Sequence, residues 1–158
     1  MDLSQLEKIK PFCIAPWSKG ANISITSKEE ALRKAQEAAR QPLRGRDISI
    51  FTNGSIQNSI SGIGAALGDG QPLFHQTIGK ARPNYLTELE AICHMVKFVE
   101  RASKQARHTK HELFIFSSSQ STLKALAKPR QQTGQRLLKE TIDAVRSLER
   151  RGHQVSFH

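Results

Sequence analysis

The sequence predicts a single α/β domain whose sheet is antiparallel in its first half and parallel in its second. Three strand-like segments follow one another between residues 47 and 78 with short turns between them, which is typical of an antiparallel meander. After residue 84, apolar patterns with helical spacing alternate with short apolar runs, which favours parallel strands connected by helices. A chain of 158 residues is long enough for one such domain with a sizeable core.

The segment before the sheet is predicted to be an arm followed by one helix. The first 27 residues contain two prolines and scattered apolar side chains, which is typical of extended chain packed on a domain. Ser27 and Glu30 have the spacing of a capping box, so a helix should begin there and run to about Arg40. The predicted domain organisation is an N-terminal arm and helix over residues 1–45 and a main domain over residues 46–158.

The antiparallel half is predicted from alternation of apolar and polar residues. Ile48, Ile50 and Thr52 lie on one face of the first strand, and polar residues and Phe51 on the other. A turn is expected from residue 54 to residue 60, and Asp69-Gly70 predicts the next turn. The predicted strands are residues 47–52, 62–67 and 73–78.

The parallel half is predicted from two long helical patterns around one strongly apolar strand. Leu113-Phe114-Ile115-Phe116 is a continuous apolar run, as expected of a central strand covered on both faces, and it should lie parallel to the first strand. The remaining predicted elements are a long helix from Asn84, helices over 119–127 and 135–151, and a last strand over 154–157. The order is therefore β-β-β-α-β-α-α-β, an α/β fold with a five-stranded mixed sheet flanked by helices.

Charge indicates a class of partner. The net charge is +10, and from Arg101 onward the chain has 12 basic and 4 acidic residues. A basic half favours a polyanion such as nucleic acid, although a lysine-rich surface also serves solubility alone. No N-terminal signal and no apolar run of membrane-spanning length occur, and Cys13 and Cys93 lack metal or redox spacing. We expect an intracellular protein, cytoplasmic or nuclear, with no membrane partner.

Three separate segments should bring polar residues to one end of the sheet. Asn53 ends the first strand, Ser118 ends the central parallel strand, and Glu88 lies in the first turn of the long helix. Sites form beyond the carboxyl ends of parallel strands, so these residues are the candidate site. Each also has an ordinary structural explanation, as a turn asparagine, a glutamate at a helix start and a helix-capping serine.

The motifs around these residues resemble a known family, the ribonuclease H domain of non-LTR retrotransposon reverse transcriptases, especially the fungal elements. The family pattern is Thr-Asp-Gly-Ser, then Ala-Glu-Leu-x-Ala-Ile, then Ser-Asp-Ser-Gln. The resemblance continues over nearly the whole chain. The matching segments here are Thr52-Asn53-Gly54-Ser55, Thr87-Glu88-Leu89-Glu90-Ala91-Ile92, Phe116-Ser117-Ser118-Ser119-Gln120, Leu123-Lys124-Ala125-Leu126 and Gln154-Val155-Ser156-Phe157-His158, with Lys8-Ile9-Lys10-Pro11-Phe12 similar to the preceding linker.

The resemblance implies a degenerate copy. Family members hold two Mg²⁺ ions with four carboxylates, and the ions position water and the scissile phosphate of an RNA–DNA hybrid. Here Asn53 and Ser118 occupy the positions of two acids, Glu88 is retained, and the family's last helix, with its further acid, is missing. Two divalent ions about 4 Å apart repel by roughly 17 kcal/mol at an effective dielectric of about 20, which one carboxylate cannot offset. We therefore expect no metal cofactor, and Mg²⁺ only if the domain is active.

No other acid is expected to substitute for the missing ones. Asp47 and Glu112 begin their strands, and six residues of strand between Asp47 and Asn53 span about 20 Å. Glu90 lies about 200° around the helix axis from Glu88. Asp69 follows the second strand and should lie beside the start of the first.

Basic residues in the second half are the candidate contacts to nucleic acid. Arg136, Lys139, Arg146 and Arg150 recur at helical spacing opposite the apolar face, although such a stripe also serves only to solvate a helix. The resemblance implies that a basic helical region here binds the nucleic-acid backbone. The predicted nucleic-acid-binding residues are Gly54, Ser55, Ser119, Gln120, Lys124, Lys128, Arg130, Arg136, Lys139, Arg146 and Arg150.

Three functions remain open from the sequence. The favoured one is a transposon-derived, catalytically inactive domain that binds an RNA–DNA hybrid or structured RNA. The second is an active or residual Mg²⁺-dependent ribonuclease acting on RNA–DNA hybrids. The third is a protein-interaction module, with a protein partner or a second copy docked on the N-terminal arm or on an exposed sheet edge.

Overall fold

The computed structural model describes residues 21–25, 27–40, 43–106, 109–130 and 132–158. The order of elements is that expected from the sequence, preceded by one helix and one two-residue strand. The elements are α1 (Lys28–Arg40), β1 (Leu43–Arg44), β2 (Asp47–Gln57), β3 (Ile60–Leu67), β4 (Pro72–Lys80), α2 (Asn84–Gln105), β5 (Glu112–Ser117), α3 (Gln120–Ala127), α4 (Gln135–Arg150) and β6 (Gln154–Phe157).

The sheet is mixed and has the predicted halves. Its order is β4-β3-β2-β5-β6, with the short β1 paired to β2. The β2–β3 and β3–β4 pairs are antiparallel, and the β2–β5 and β5–β6 pairs are parallel. The predicted α/β fold with a five-stranded mixed sheet is therefore confirmed, and β1 adds a sixth strand that the sequence analysis did not include.

The first turn lies further along the chain than predicted. Strand β2 continues through Gly54 to Gln57, and each residue from Gly54 to Gln57 pairs with a residue of β3. The chain reverses at Asn58 and Ser59, whose φ angles are 49° and 61°. Asparagine tolerates this left-handed conformation better than most residues, so the two-residue turn is consistent with the sequence. The predictions that the first strand ends at Asn53 and that a turn begins at residue 54 were wrong.

The main core lies between the sheet and helices α2, α3 and α4. Leu89, Ile92 and Val96 of α2 recur at helical spacing and are fully buried. They pack with Ile115 from β5 and Phe157 from β6 in one cluster that also includes the apolar faces of α3 and α4. This packing fixes the start of α2 against the ends of the parallel strands.

Part of the N-terminal segment pairs with the sheet. Ile23 forms a parallel bridge with Phe157 of β6, through hydrogen bonds from Ser24 N to Phe157 O at 2.8 Å and from Phe157 N to Asn22 O at 3.0 Å. This side of β6 is therefore covered at Phe157. The rest of the predicted arm, residues 1–20, lies outside the described residues.

Helix α1 begins at the capping serine predicted from the sequence. The backbone N–H of Glu30 donates to Ser27 Oγ at 3.3 Å.

No helix in the described part of the chain is both long and apolar enough to span a bilayer.

Candidate functional site

The candidate site is formed where the parallel pairing of β2 with β5 ends, together with the first turn of α2. In the β2–β5 pairing, Thr52 lies opposite Ser117, so Asn53 and Ser118 follow at neighbouring positions. Glu88 reaches both strands from α2 through its side-chain oxygens. Strand register and helix packing thus bring together three segments that are 30 or more residues apart in sequence.

Gly54 allows α2 to approach the sheet this closely. A Cβ atom at this position would lie 2.6 Å from the carbonyl carbon of Thr87 and 2.7 Å from the backbone nitrogen of Glu88. Real Cβ contacts are essentially never so short, and backbone atoms in a packed helix cannot turn aside. The glycine is therefore required for packing.

Glu88 links the two strand ends by hydrogen bonds. Its side chain is buried, with a residue exposure of 3%. Oε2 accepts from the backbone N–H of Gly54 at 3.1 Å, and Oε1 accepts from the hydroxyl of Ser118 at 3.4 Å. The carboxylate thereby satisfies a buried backbone donor and ties β2 and the end of β5 to α2.

The pKa of Glu88 is raised, because burial disfavours its charged form. The hydrogen bonds from Gly54 and Ser118 act in the opposite direction and only partly compensate. No cation is paired with the carboxylate among the ion pairs of the described residues. The charged carboxylate is thus held by neutral donors alone.

The other predicted residues near this point have different exposures. Asn53 and Ser55 are exposed and alternate with the buried Gly54, so their side chains leave the face of the sheet that α2 covers. Ser118 and Gln120 are also exposed. Ser119 caps α3, since its Oγ accepts from the backbone N–H of Thr122 at 3.4 Å.

The donor set does not fit a pair of divalent ions. Both oxygens of Glu88 already accept hydrogen bonds, and positions 53 and 118 carry an amide and a hydroxyl, neither of which supplies negative charge. Hard cations at sites of this kind require several anionic oxygens. Within the described residues, no three histidine, cysteine, aspartate or glutamate side chains are grouped so that they could hold a metal ion.

The other acids that the sequence analysis considered lie elsewhere or are engaged. Glu90 pairs with Arg82 at 2.5 Å on the outer side of α2. Asp69 accepts from the backbone N–H of Gln71 at 2.9 Å in the β3–β4 turn. Asp47 and Glu112 lie opposite each other at the starts of β2 and β5, at the far end of the sheet from Glu88.

The basic stripe on α4 is largely paired with acids of the same helix. Arg136 Nη1 lies 2.8 Å from Glu140, which also binds Lys97 Nζ of α2 at 2.9 Å. Lys139 pairs with Asp143 one turn along. Of the other two stripe residues, Arg146 is half-buried and Arg150 is exposed. Intrahelical pairing reduces the charge that the stripe offers to a phosphate.

A basic cleft lies between the start of α2, α3 and the connection to α4. Its volume is about 670 Å³. Three predicted cations line it, Lys124, Lys128 and Arg130, and no ion pair found in the described ranges uses them. We call this the basic cleft; its other lining residues are Tyr85, Ser121, Ala125, Gln132 and Thr133.

The uncharged residues that line the basic cleft, which we call the neutral wall, were not identified from the sequence. Tyr85 belongs to the first turn of α2, and Gln132 Nε2 donates to its hydroxyl at 3.0 Å across 47 positions of sequence. The backbone carbonyl of Tyr85 also accepts from Thr122 Oγ1 at 3.4 Å, which fixes α3 beside α2. Because Tyr85 precedes Glu88 by one helical turn, the basic cleft and the Glu88 site lie at the same end of α2.

Comparison with known proteins identifies the fold by structure alone. No protein-family model and no curated protein matched the chain. Among solved structures, ribonuclease H1 from the halophilic archaeon Halobacterium salinarum NRC-1 superposes with a TM-score of 0.50 at 19% identity, over 71% of this chain and 83% of that one.

A second ribonuclease H1 gives the same result. LC11-RNase H1, solved in complex with an RNA/DNA hybrid, has a TM-score of 0.50 at 17% identity, over 70% of this chain and 82% of that chain. Identities this low establish a fold and not an activity. The chain therefore has the ribonuclease H-like fold, an α/β architecture built on a five-stranded mixed sheet.

Proposed function

We propose that this chain is a ribonuclease H-like domain that has lost nuclease activity and binds nucleic acid, either an RNA–DNA hybrid or a structured RNA. One observation carries the proposal. Among the described residues, Glu88 is the only carboxylate at the point where the parallel β2–β5 pairing ends, and it ties the backbone of Gly54 and the hydroxyl of Ser118 together. A group used in this way is a structural link, and it supplies too little negative charge for two Mg²⁺ ions.

Nucleic-acid binding is supported by charge and position. The basic cleft concentrates three cations, no acid is among its described lining residues, and it lies one turn of α2 away from the Glu88 site. Phosphate contacts of this kind give affinity without sequence preference. A ribonuclease H1 with the same fold has been solved with an RNA/DNA hybrid, which makes a hybrid the first ligand to test.

We also propose descent from a retrotransposon ribonuclease H domain. The proposal is supported by the order of the segments around Asn53, Glu88 and Ser118, which match the family pattern except at the two lost acids and at Thr87, where the family has alanine. An intact relative with aspartate at both positions would support this origin. A relative whose similar segments occur in another order would contradict it.

The domain should not cleave an RNA–DNA hybrid in Mg²⁺ or Mn²⁺. The physical reason is the missing negative charge at positions 53 and 118. The measurement is release of labelled fragments from a hybrid under single-turnover conditions. Turnover by the purified domain that is abolished in Glu88→Ala would show that the site is catalytic and would refute the proposal.

Restoring both acids should create a metal-dependent domain. In the double variant Asn53→Asp/Ser118→Asp, two carboxylates would stand at the neighbouring positions that follow the Thr52–Ser117 pair, so we expect lower stability without metal and a rise in Tm with MgCl₂. Binding at one hundred times Kd corresponds to about 2.7 kcal/mol of stabilisation. The wild-type domain, measured in parallel, should show no Mg²⁺-dependent shift; an equal shift in both proteins would contradict our interpretation.

Reversing charge in the basic cleft should weaken binding and its salt dependence. We expect Lys124→Glu/Lys128→Glu to reduce affinity for a hybrid at least tenfold. The fall of log K with log salt should also become less steep, by about 2 in slope, since each lost phosphate contact removes about 0.9. Fluorescence anisotropy across a salt series measures both quantities. Arg101→Glu on the exposed C-terminal part of α2 is the matched control and should change affinity little.

A further inference from the structure

The basic cleft is larger and chemically more varied than a phosphate site requires. Three cations occupy it, and the rest of its wall consists of neutral hydroxyl, amide, aromatic and methyl groups. A volume of about 670 Å³ falls within the range of about 300–1,000 Å³ that is typical of sites for small organic ligands. Contacts to the phosphates of a duplex would use the cations alone and leave the neutral wall without a role.

The neutral wall is held in place by the fold. Gln132 is anchored by its hydrogen bond to the hydroxyl of Tyr85, and α3 is anchored to the same residue through Thr122. Gly134, which precedes α4, also lies close to the Tyr85 ring, since a Cβ atom there would be 3.6 Å from Tyr85 Cε1. The wall therefore connects α2, α3 and the segment that leads into α4, and it should keep its shape when it is empty.

We infer that the basic cleft binds one unpaired nucleotide, with its phosphate on Lys124, Lys128 and Arg130 and its sugar or base against the neutral wall. The base pairs of a duplex are stacked inside it and cannot enter a concave site, whereas an unpaired nucleotide presents base, ribose and phosphate together. This inference rests on the proposed nucleic-acid binding and specifies which part of the nucleic acid is recognised. The same chemistry is available from a free nucleotide or from the end of a strand.

The test compares three forms of one nucleic acid. Fluorescence anisotropy would measure the affinity of a blunt RNA–DNA hybrid, the same hybrid with a short single-stranded overhang, and the single strand alone. We expect the overhang to bind about tenfold more tightly than the blunt hybrid, a difference equal to about 1.4 kcal/mol. Thr133→Val, which removes one exposed hydroxyl of the wall, should lower the ratio of overhang to blunt affinity, and Arg101→Glu should leave that ratio unchanged.

Competition distinguishes the two sources of the nucleotide. The overhang hybrid is displaced by a nucleoside monophosphate or by inorganic phosphate in parallel titrations. Displacement by the monophosphate at the lower concentration would support a nucleotide site that also accepts the free ligand. Overhang preference with no displacement by the monophosphate would support a site for a strand end.

Two results would overturn the inference, and they can be told apart. Equal affinity for blunt and overhang hybrids, with displacement by inorganic phosphate, would leave a phosphate site and the proposed function intact. Absence of binding to any of the three nucleic acids at low salt would remove the proposed function and the inference together.

Discussion

Replacing Gly54 with alanine should destabilise the domain by about 3 kcal/mol or more, because the new methyl group would overlap backbone atoms of α2. The atoms in its path belong to Thr87 and Glu88, at 2.6 Å and 2.7 Å, and both residues are buried. Relief requires α2 to move away from β2, which would break the hydrogen bond between Gly54 and Glu88 and open the core. Urea unfolding followed by circular dichroism measures the change in free energy of unfolding.

Gly64 provides the matched control in the same sheet. It lies in β3 and its nearest neighbour to an added Cβ atom is the Phe74 carbonyl oxygen at 3.5 Å, an ordinary contact. Gly64→Ala should therefore change stability by less than about 1 kcal/mol, and with either sign, since glycine inside a strand is itself unfavourable. Similar losses in both variants would show that the close approach at Gly54 is not the cause.

Substitutions at Glu88 should separate a structural role from a metal-binding one. Glu88→Ala would leave the buried N–H of Gly54 without an acceptor, at a cost of about 1–3 kcal/mol, and would leave a cavity at the helix start. Glu88→Gln keeps an oxygen for Gly54 and offers an NH₂ donor to the Ser118 hydroxyl. We expect the glutamine variant to be at least as stable as the wild type at neutral pH, because it buries no charge.

The difference between Glu88→Gln and the wild type should depend on pH. Burial raises the pKa of Glu88, so the folded state takes up a proton more readily than the unfolded state. The wild type therefore gains stability as pH falls below the raised pKa, and this gain is lost as pH rises again. The advantage of the glutamine variant should be largest at neutral pH and disappear in acid, which a series of urea unfolding curves would show. A glutamine variant less stable than the wild type at neutral pH would contradict this account.

The sequence contained enough information for the fold because its local patterns and its topology agree. The continuous apolar run at Leu113–Phe116 and the alternation before Thr52 predicted a parallel pair, and β5 and β2 form one. The error at Gly54 has a specific cause. A glycine followed by polar residues is typical of a turn, but here it permits contact with a helix 33 residues away, which no local pattern reveals.

The candidate site was only partly predictable for the same reason. The convergence of the segments around Asn53, Glu88 and Ser118 follows from strand order. That both Glu88 oxygens accept hydrogen bonds, from Gly54 and Ser118, depends on interatomic distances that the sequence does not give. The pairing of Arg136 with Glu140 could have been predicted from their spacing of four residues. Because this pairing neutralises part of the α4 stripe, the basic cleft is the better candidate for phosphate contacts. The neutral wall joins residues from α2, α3 and the connection before α4, so it could be found only in the structure.

The bridge at Ile23 determines where a recombinant fragment should start. A fragment beginning at residue 46 would lose the hydrogen bonds that Asn22 and Ser24 make with Phe157, leaving that strand's polar backbone groups open to pairing with neighbouring molecules. Such a fragment should self-associate at concentrations where one that begins before Ala21 stays monomeric.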